Sequence, residues 1–118
     1  MSRYDVIIIG AGPGGIFAAY ELAKKAPELK VAVFESGNSL EKRKCPIDGK
    51  KIKSCINCKT CAIMSGFGGA GAFSDGKYNI TNDFGGTLYE YIGKDTAIDL
   101  MKYVDEINLA YGGEGTKM

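Results

Sequence analysis

The sequence predicts an α/β fold built on a parallel strand–helix–strand unit, and three observations predict it. A continuous β-branched run (residues 4–9, YDVIII) ends at Gly10. An amphipathic pattern follows it at helical spacing. A second short apolar run (31–34, VAVF) then closes at Glu35. Two such runs with a helix between them, within about 30 residues, form a βαβ unit.

Each element has its own signal. The first run does not alternate, as expected of a parallel strand buried on both faces. Pro13 sits where the first helical turn begins, suited by its fixed φ and missing N–H. Ile16, Ala19, Leu22 and Ala23 recur at spacings of three and four, and Pro27 lies just beyond. That spacing predicts a helix of about three turns. The βαβ unit thus spans 4–35. Residues 36–62 lack periodicity and read as a loop. Residues 65–86 are glycine-rich and irregular, with one short strand expected near 78–80. A second helical pattern covers 95–111, where Ile98, Met101, Val104, Ile107 and Tyr111 share a face. Asp95 is its expected N-cap, and Gly112-Gly113 supplies the stop. Only two strands are evident, fewer than an open α/β sheet normally holds, so the sheet is expected to be incomplete. A further strand is expected beyond Met118, which makes the chain the N-terminal part of a longer protein.

Composition narrows the chemistry. Glycine is in excess, with 17 of 118 residues, clustered at 10–15, 66–71 and around 85 and 112. Clustering points to dedicated backbone geometry and away from a flexible linker. Histidine is absent, which excludes imidazole bases, Ser–His triads and His–metal sites within these residues. Net charge is only +1, yet residues 41–61 carry seven basic and two acidic groups, and residues 83–118 carry three and seven. No apolar run is long enough to cross a membrane, and Asp5 and Gly10 interrupt any secretory pattern. A cytoplasmic setting is the default expectation. The basic run lies in a stretch with no aromatic residue between Phe34 and Phe67. It therefore lacks a stacking platform for nucleic acid and reads as a solvated or charge-compensating loop.

Gly10-Ala11-Gly12-Pro13-Gly14-Gly15 fits G-x-G-x-x-G, and Glu35 follows Gly15 by 20 residues. Between a strand and a helix, this is the fingerprint of a Rossmann-like FAD/NAD(P)-binding domain. Gly10 permits the tight turn, Gly12 a close backbone approach to a pyrophosphate, and Gly15 the packing of helix on strand. The helix N-terminus favours phosphate. Glu35, with Ser36 beside it, sits at the strand tip where a ribose hydroxyl would be held, and its charge disfavours a 2′-phosphate.

The residue chemistry of the fingerprint does not separate FAD from NAD. A resemblance does. Residues 5–21 (DVIIIGAGPGGIFAAYE) resemble the start of two-domain Rossmann-type flavoproteins, the glutathione-reductase and hydroxylase-like oxidoreductases. Downstream, Cys55-x2-Cys58-x2-Cys61 followed by IMSGFGGAGAFSDGKYNIT (63–81) resembles a bacterial and archaeal family of FAD-dependent dehydrogenases. That resemblance runs over essentially the whole chain, and members of the family are several hundred residues long. It implies an FAD-dependent oxidoreductase passing hydride or electrons through the flavin, inactive as this fragment alone. A small-molecule substrate or an electron carrier such as NAD(P)H is the expected partner. It also implies that Gly68, Gly69, Ala70 and Gly71 lie beside FAD. Ser74-Asp75-Gly76 reads as a turn. The alternative is a non-catalytic module that binds a nucleotide or a metal.

Cys45, Cys55, Cys58 and Cys61 all fall in the basic segment. The C-x2-C-x2-C run matches three ligands of a bacterial iron–sulfur cluster, and Cys45 precedes a proline. Four cysteine ligands for zinc, a redox-active C-x-x-C thiol pair, and free thiols remain open beside the cluster. Disulfide reductases of this fold space their cysteines more widely, a pattern from which this chain departs.

Overall fold

The computed structural model describes residues 3–83 and 85–113. Phe84, one of the aromatics of the irregular segment, therefore lies outside the described residues. The fold is α/β. A strand β1 (Val6–Ile9), a helix α1 (Pro13–Lys25) and a strand β2 (Val31–Phe34) form a Rossmann-like βαβ unit. The strands pair in parallel, with Val6 opposite Val31 and Ile9 opposite Phe34. Their open end is tied where Asp5 accepts the Lys30 N–H at 2.8 Å and donates its own to the Lys30 carbonyl. Lys24 and Lys25 close the last turn of α1, where cations complement the helix dipole.

The chain divides into two compact units, Met1–Phe73 and Ser74–Met118. The first holds the βαβ unit and two single 3-10 turns, Leu40–Lys42 and Ala70–Phe73. Between them the backbone of residues 43–69 has no regular element, as its lack of periodicity implied. The second unit holds α2 (Leu88–Ile92) and α3 (Lys94–Ala110), which pack on each other.

Three expectations are corrected, and one element is added. β1 is not buried on both faces: Ile8 faces α1, but Ile7 and Ile9 are 58% and 81% exposed. The helix covers only one side of the two-stranded sheet. No strand forms at 78–80, because the only sheet among the described residues is the β1–β2 pair and that backbone meets no ladder. Asp95 is not the N-cap of α3. Gly93 takes that place, and Asp95 lies in the first turn, where its charge still favours the helix. Finally, α2 goes unannounced in the sequence, being five residues long.

Large side chains are little buried. Among the described residues, the buried hydrophobic side chains are Ala11 and Ala97, and one charged residue joins them, Arg43 at 3% exposure.

Candidate functional site

The turn between β1 and α1 is built from the glycine fingerprint. Gly10 donates to the Phe34 carbonyl at 2.7 Å, which extends the strand pairing by one bond. Gly12 caps α1, Pro13 opens it, and the Ile16 N–H returns to the Gly12 carbonyl at 2.9 Å. No side chain caps this end and its first turn carries no acid. The Gly14 and Gly15 N–H groups lie in the first turn, where no intrahelical carbonyl is available.

The glycines do different work. A β-carbon on Gly15 would collide with the Gly10 carbonyl oxygen and lie 3.2 Å from Ile8 Cγ2. That is the point where α1 crosses β1. A β-carbon on Gly12 or Gly14 would meet nothing within 4 Å. No packing inside the protein requires glycine at either position.

Glu35 closes the site from β2. One carboxylate oxygen accepts the Ala11 N–H and the other the Gly37 N–H, each at 2.8 Å. The side chain thus staples the fingerprint turn to the end of the second strand. These two bonds hold its pKa below the ordinary 4.5, and the Arg43 charge adds to the effect. Two acceptor positions on the carboxylate remain for other donors. Ser36 is exposed beside it.

A pH dependence follows. A folded-state pKa below the unfolded value means that Glu35 stabilises the fold above the ordinary carboxylate pKa. That contribution is lost as pH falls through the folded value. Unfolding midpoints measured from pH 6 downward should fall, and Glu35→Gln should be less stable at pH 6 with a flatter acid limb. An identical acid limb in the variant would remove Glu35 from the account.

The second glycine segment lies on the fingerprint. Gly68 donates to the Ala11 carbonyl at 2.8 Å, and a β-carbon on Gly69 would sit 3.1 Å from Pro13. Gly10, Ala11, Gly12, Pro13, Gly15, Glu35, Gly68 and Gly69 are therefore brought together. Ala70 and Gly71 belong to the following 3-10 turn and are exposed. Ser74 and Asp75 each accept a backbone N–H two residues on, which is turn chemistry.

Arg43 holds that segment, and nothing in the basic run singles it out. Its guanidinium donates to the carbonyls of Ala62 (2.8 Å), Ile63 (2.7 Å) and Phe67 (2.6 Å) and stacks on Phe73, 4.8 Å from the ring centre. It is not part of a solvated charge run, which corrects the expectation for that residue. Gly66 is buried against it. At φ 125°, with Arg43 Cδ only 2.7 Å from where a β-carbon would stand, the position excludes any side chain.

Cys45, Cys55, Cys58 and Cys61 are free and exposed. All four line one pocket of about 210 Å³, together with apolar side chains such as Ile47 and Ile56. Among the described residues, no three acidic, cysteine or histidine side chains converge closely enough to hold a metal ion. No helix among them is long and apolar enough to cross a membrane.

Comparison with known proteins bears on the same segment. Residues 1–41 match the Thi4 family. The thiamine thiazole synthase of Yarrowia lipolytica is 61% identical over 33 residues, 28% of this chain and 10% of its own length. That of Phaeosphaeria nodorum is also 61% identical over 33 residues. An uncharacterized protein of Clostridium beijerinckii is 39% identical over 71 residues, 60% of this chain and 13% of its own length. The chain thus spans about a tenth of the length of these relatives. No solved structure matches the chain significantly. At a coarse level these likenesses support a Rossmann-type nucleotide-binding segment of the kind found in an enzyme family.

Proposed function

We propose that the βαβ segment holds FAD and that the chain is the cofactor-binding part of a flavin-dependent oxidoreductase. The observation that carries this is Gly12. A side chain there would meet nothing within 4 Å, so the turn leaves open backbone that a group can approach closely from outside. The surroundings suit a pyrophosphate: a helix N-terminus with unengaged N–H groups, no acid in its first turn, and a backbone free of side chains. Glu35 stands at the strand tip with acceptor capacity for a ribose hydroxyl. It is also the group that locks the turn in shape, so a Glu35 variant would loosen both. The segment around Gly68 and Gly69, pressed on Gly12 and Pro13, offers backbone for a flat ring to lie against.

When bound, a flavin supplies the hydride or electron transfer; the chain supplies binding and orientation. Among the described residues, no nucleophile paired with a base stands near the turn. The match to the Thi4 family covers residues 1–41, which include the βαβ segment, and no thiazole chemistry is carried over to this chain. A small-molecule substrate or NAD(P)H completes the proposal as the source of electrons. The resemblance of residues 63–81 to FAD-dependent dehydrogenases favours FAD over NAD.

The test is titration of the purified chain with FAD, FMN, NAD and ADP, followed by flavin fluorescence and calorimetry. FAD should bind more tightly than NAD, ADP should compete, and FMN should bind weakly because it lacks the adenosine ribose that Glu35 would hold. Tighter binding of NAD than FAD, or indifference to ADP, would overturn it.

A further inference from the structure

The four cysteines share one pocket, and the way the chain brings them there has a physical logic independent of the nucleotide site. Arg43 stands two residues before Cys45, and Ala62, whose carbonyl it holds at 2.8 Å, directly follows Cys61. A single buried guanidinium thus fastens both ends of the cysteine-bearing stretch. Between the ends, Asp48 accepts the N–H groups of Lys50, Lys51 and Ile52 at 2.8–2.9 Å. The Ile52 carbonyl in turn accepts from Asp48 and Gly49. This tight turn folds the interval between Cys45 and Cys55 back on itself.

The Cys55–Cys58 interval carries a second signal. Asn57 has φ 52°, the only positive value among described residues other than glycine. A left-handed non-glycine residue is uncommon and persists where the surroundings demand it. Here it aims the Asn57 N–H at Cys55 Sγ, 3.5 Å away. The Cys55 thiol in turn reaches Asn57 Oδ1, 3.7 Å away, so the two residues hold one another. Residues 41–61 carry a net +5, a charge that offsets the net negative charge of a four-thiolate metal centre.

We propose that loop 45–61 is a metal-binding loop in which Cys45, Cys55, Cys58 and Cys61 hold one thiolate-ligated metal centre, zinc or an iron–sulfur cluster. Both take four thiolates, and both are selected by soft sulfur donors. The thiols ring the pocket and do not yet meet at a point. Metal uptake is therefore coupled to closure of the loop, as in other small thiolate sites whose binding free energy is ordering free energy. Aspartate and histidine are not involved, since Asp48 is engaged by its own turn and histidine is absent.

The chain, purified under reducing and anaerobic conditions, is titrated with Co(II). Expected are one equivalent per chain, intense thiolate-to-metal charge-transfer absorption and tetrahedral ligand-field bands. Trypsin cleavage after Lys50, Lys51 and Lys53 should slow on metal addition. The double variant Cys55→Ser/Cys61→Ser should lose affinity by on the order of a hundredfold or more. Metal analysis of the protein as isolated separates the two centres: zinc without colour, or iron with acid-labile sulfide and visible absorption. A weak octahedral cobalt spectrum overturns the proposal, as does a double variant that binds as tightly as its parent. If the variant does not fold, judged by circular dichroism, the cobalt spectrum of the parent chain alone decides.

Discussion

Arg43→Ala is expected to lower the unfolding free energy of the Met1–Phe73 unit by about 3 kcal/mol. The guanidinium is buried and shares three short hydrogen bonds with main-chain carbonyls. Bonds to a charged donor contribute about 1.5–3 kcal/mol each, and their losses do not add fully because water reaches the freed carbonyls. The stacked Phe73 ring loses its partner as well. A unit with so few buried apolar side chains has little reserve against this. Arg43→Lys should restore only about 1 kcal/mol, because one ammonium cannot span three carbonyls held in a planar fork. Urea unfolding followed by circular dichroism measures the midpoints, and trypsin accessibility of Lys50 and Lys51 reports the loop. An unchanged midpoint in Arg43→Ala would show that the glycine segment keeps its place without the clamp. The expected local signature is earlier cleavage in the loop than in α1, because the guanidinium fastens the loop at both ends.

The same residue shows where sequence legibility ends. α1 and α3 are legible because their apolar residues repeat with the helical period, and β1 and β2 because each is a short continuous apolar run closed by turn residues. The fingerprint could be read because its glycines fall at fixed offsets from a strand and a helix. Arg43 sits between Lys42 and Lys44 in a run that reads as solvent-facing. Its partners are backbone carbonyls 19 to 24 residues away, which have no sequence identity to match. The one available hint was that it is an arginine amid lysines, the planar donor fork where a point charge would serve a solvated surface equally well. Glu35 was legible as a ligand for a ribose but not as a staple, because its Ala11 and Gly37 partners are again main-chain groups. α2 is not legible in the sequence because Gly93, at φ 84°, separates a five-residue helix from α3. Fewer than two turns carry no measurable period. Ile7 and Ile9 are exposed where burial is expected, because a continuous apolar run reports what a strand can tolerate, not what covers it.

Gly15→Ala and Gly12→Ala should separate folding from binding. At position 15 the added methyl runs into the Gly10 carbonyl oxygen, which belongs to backbone and cannot swing aside. α1 must move off β1, so Gly15→Ala should cost about 3 kcal/mol of stability, at the upper end of overpacking. Its loss of FAD binding would simply follow the loss of structure. At position 12 the methyl meets no atom of the protein, and φ −78° with ψ −176° is extended backbone open to alanine. The only structural penalty is a poorer helix cap, no more than about 1 kcal/mol. Yet that methyl stands where the proposed pyrophosphate would approach the turn. FAD affinity should fall by on the order of a hundredfold, near 2.7 kcal/mol, while the protein stays folded. Paired urea melts and FAD titrations of the two variants check this. If Gly12→Ala binds FAD as tightly as the parent chain, the pyrophosphate does not lie over this turn, however well the glycines fit the pattern. If Gly15→Ala melts with the parent, α1 does not cross β1 as closely as described, and the geometry assigned to Gly12 falls with it.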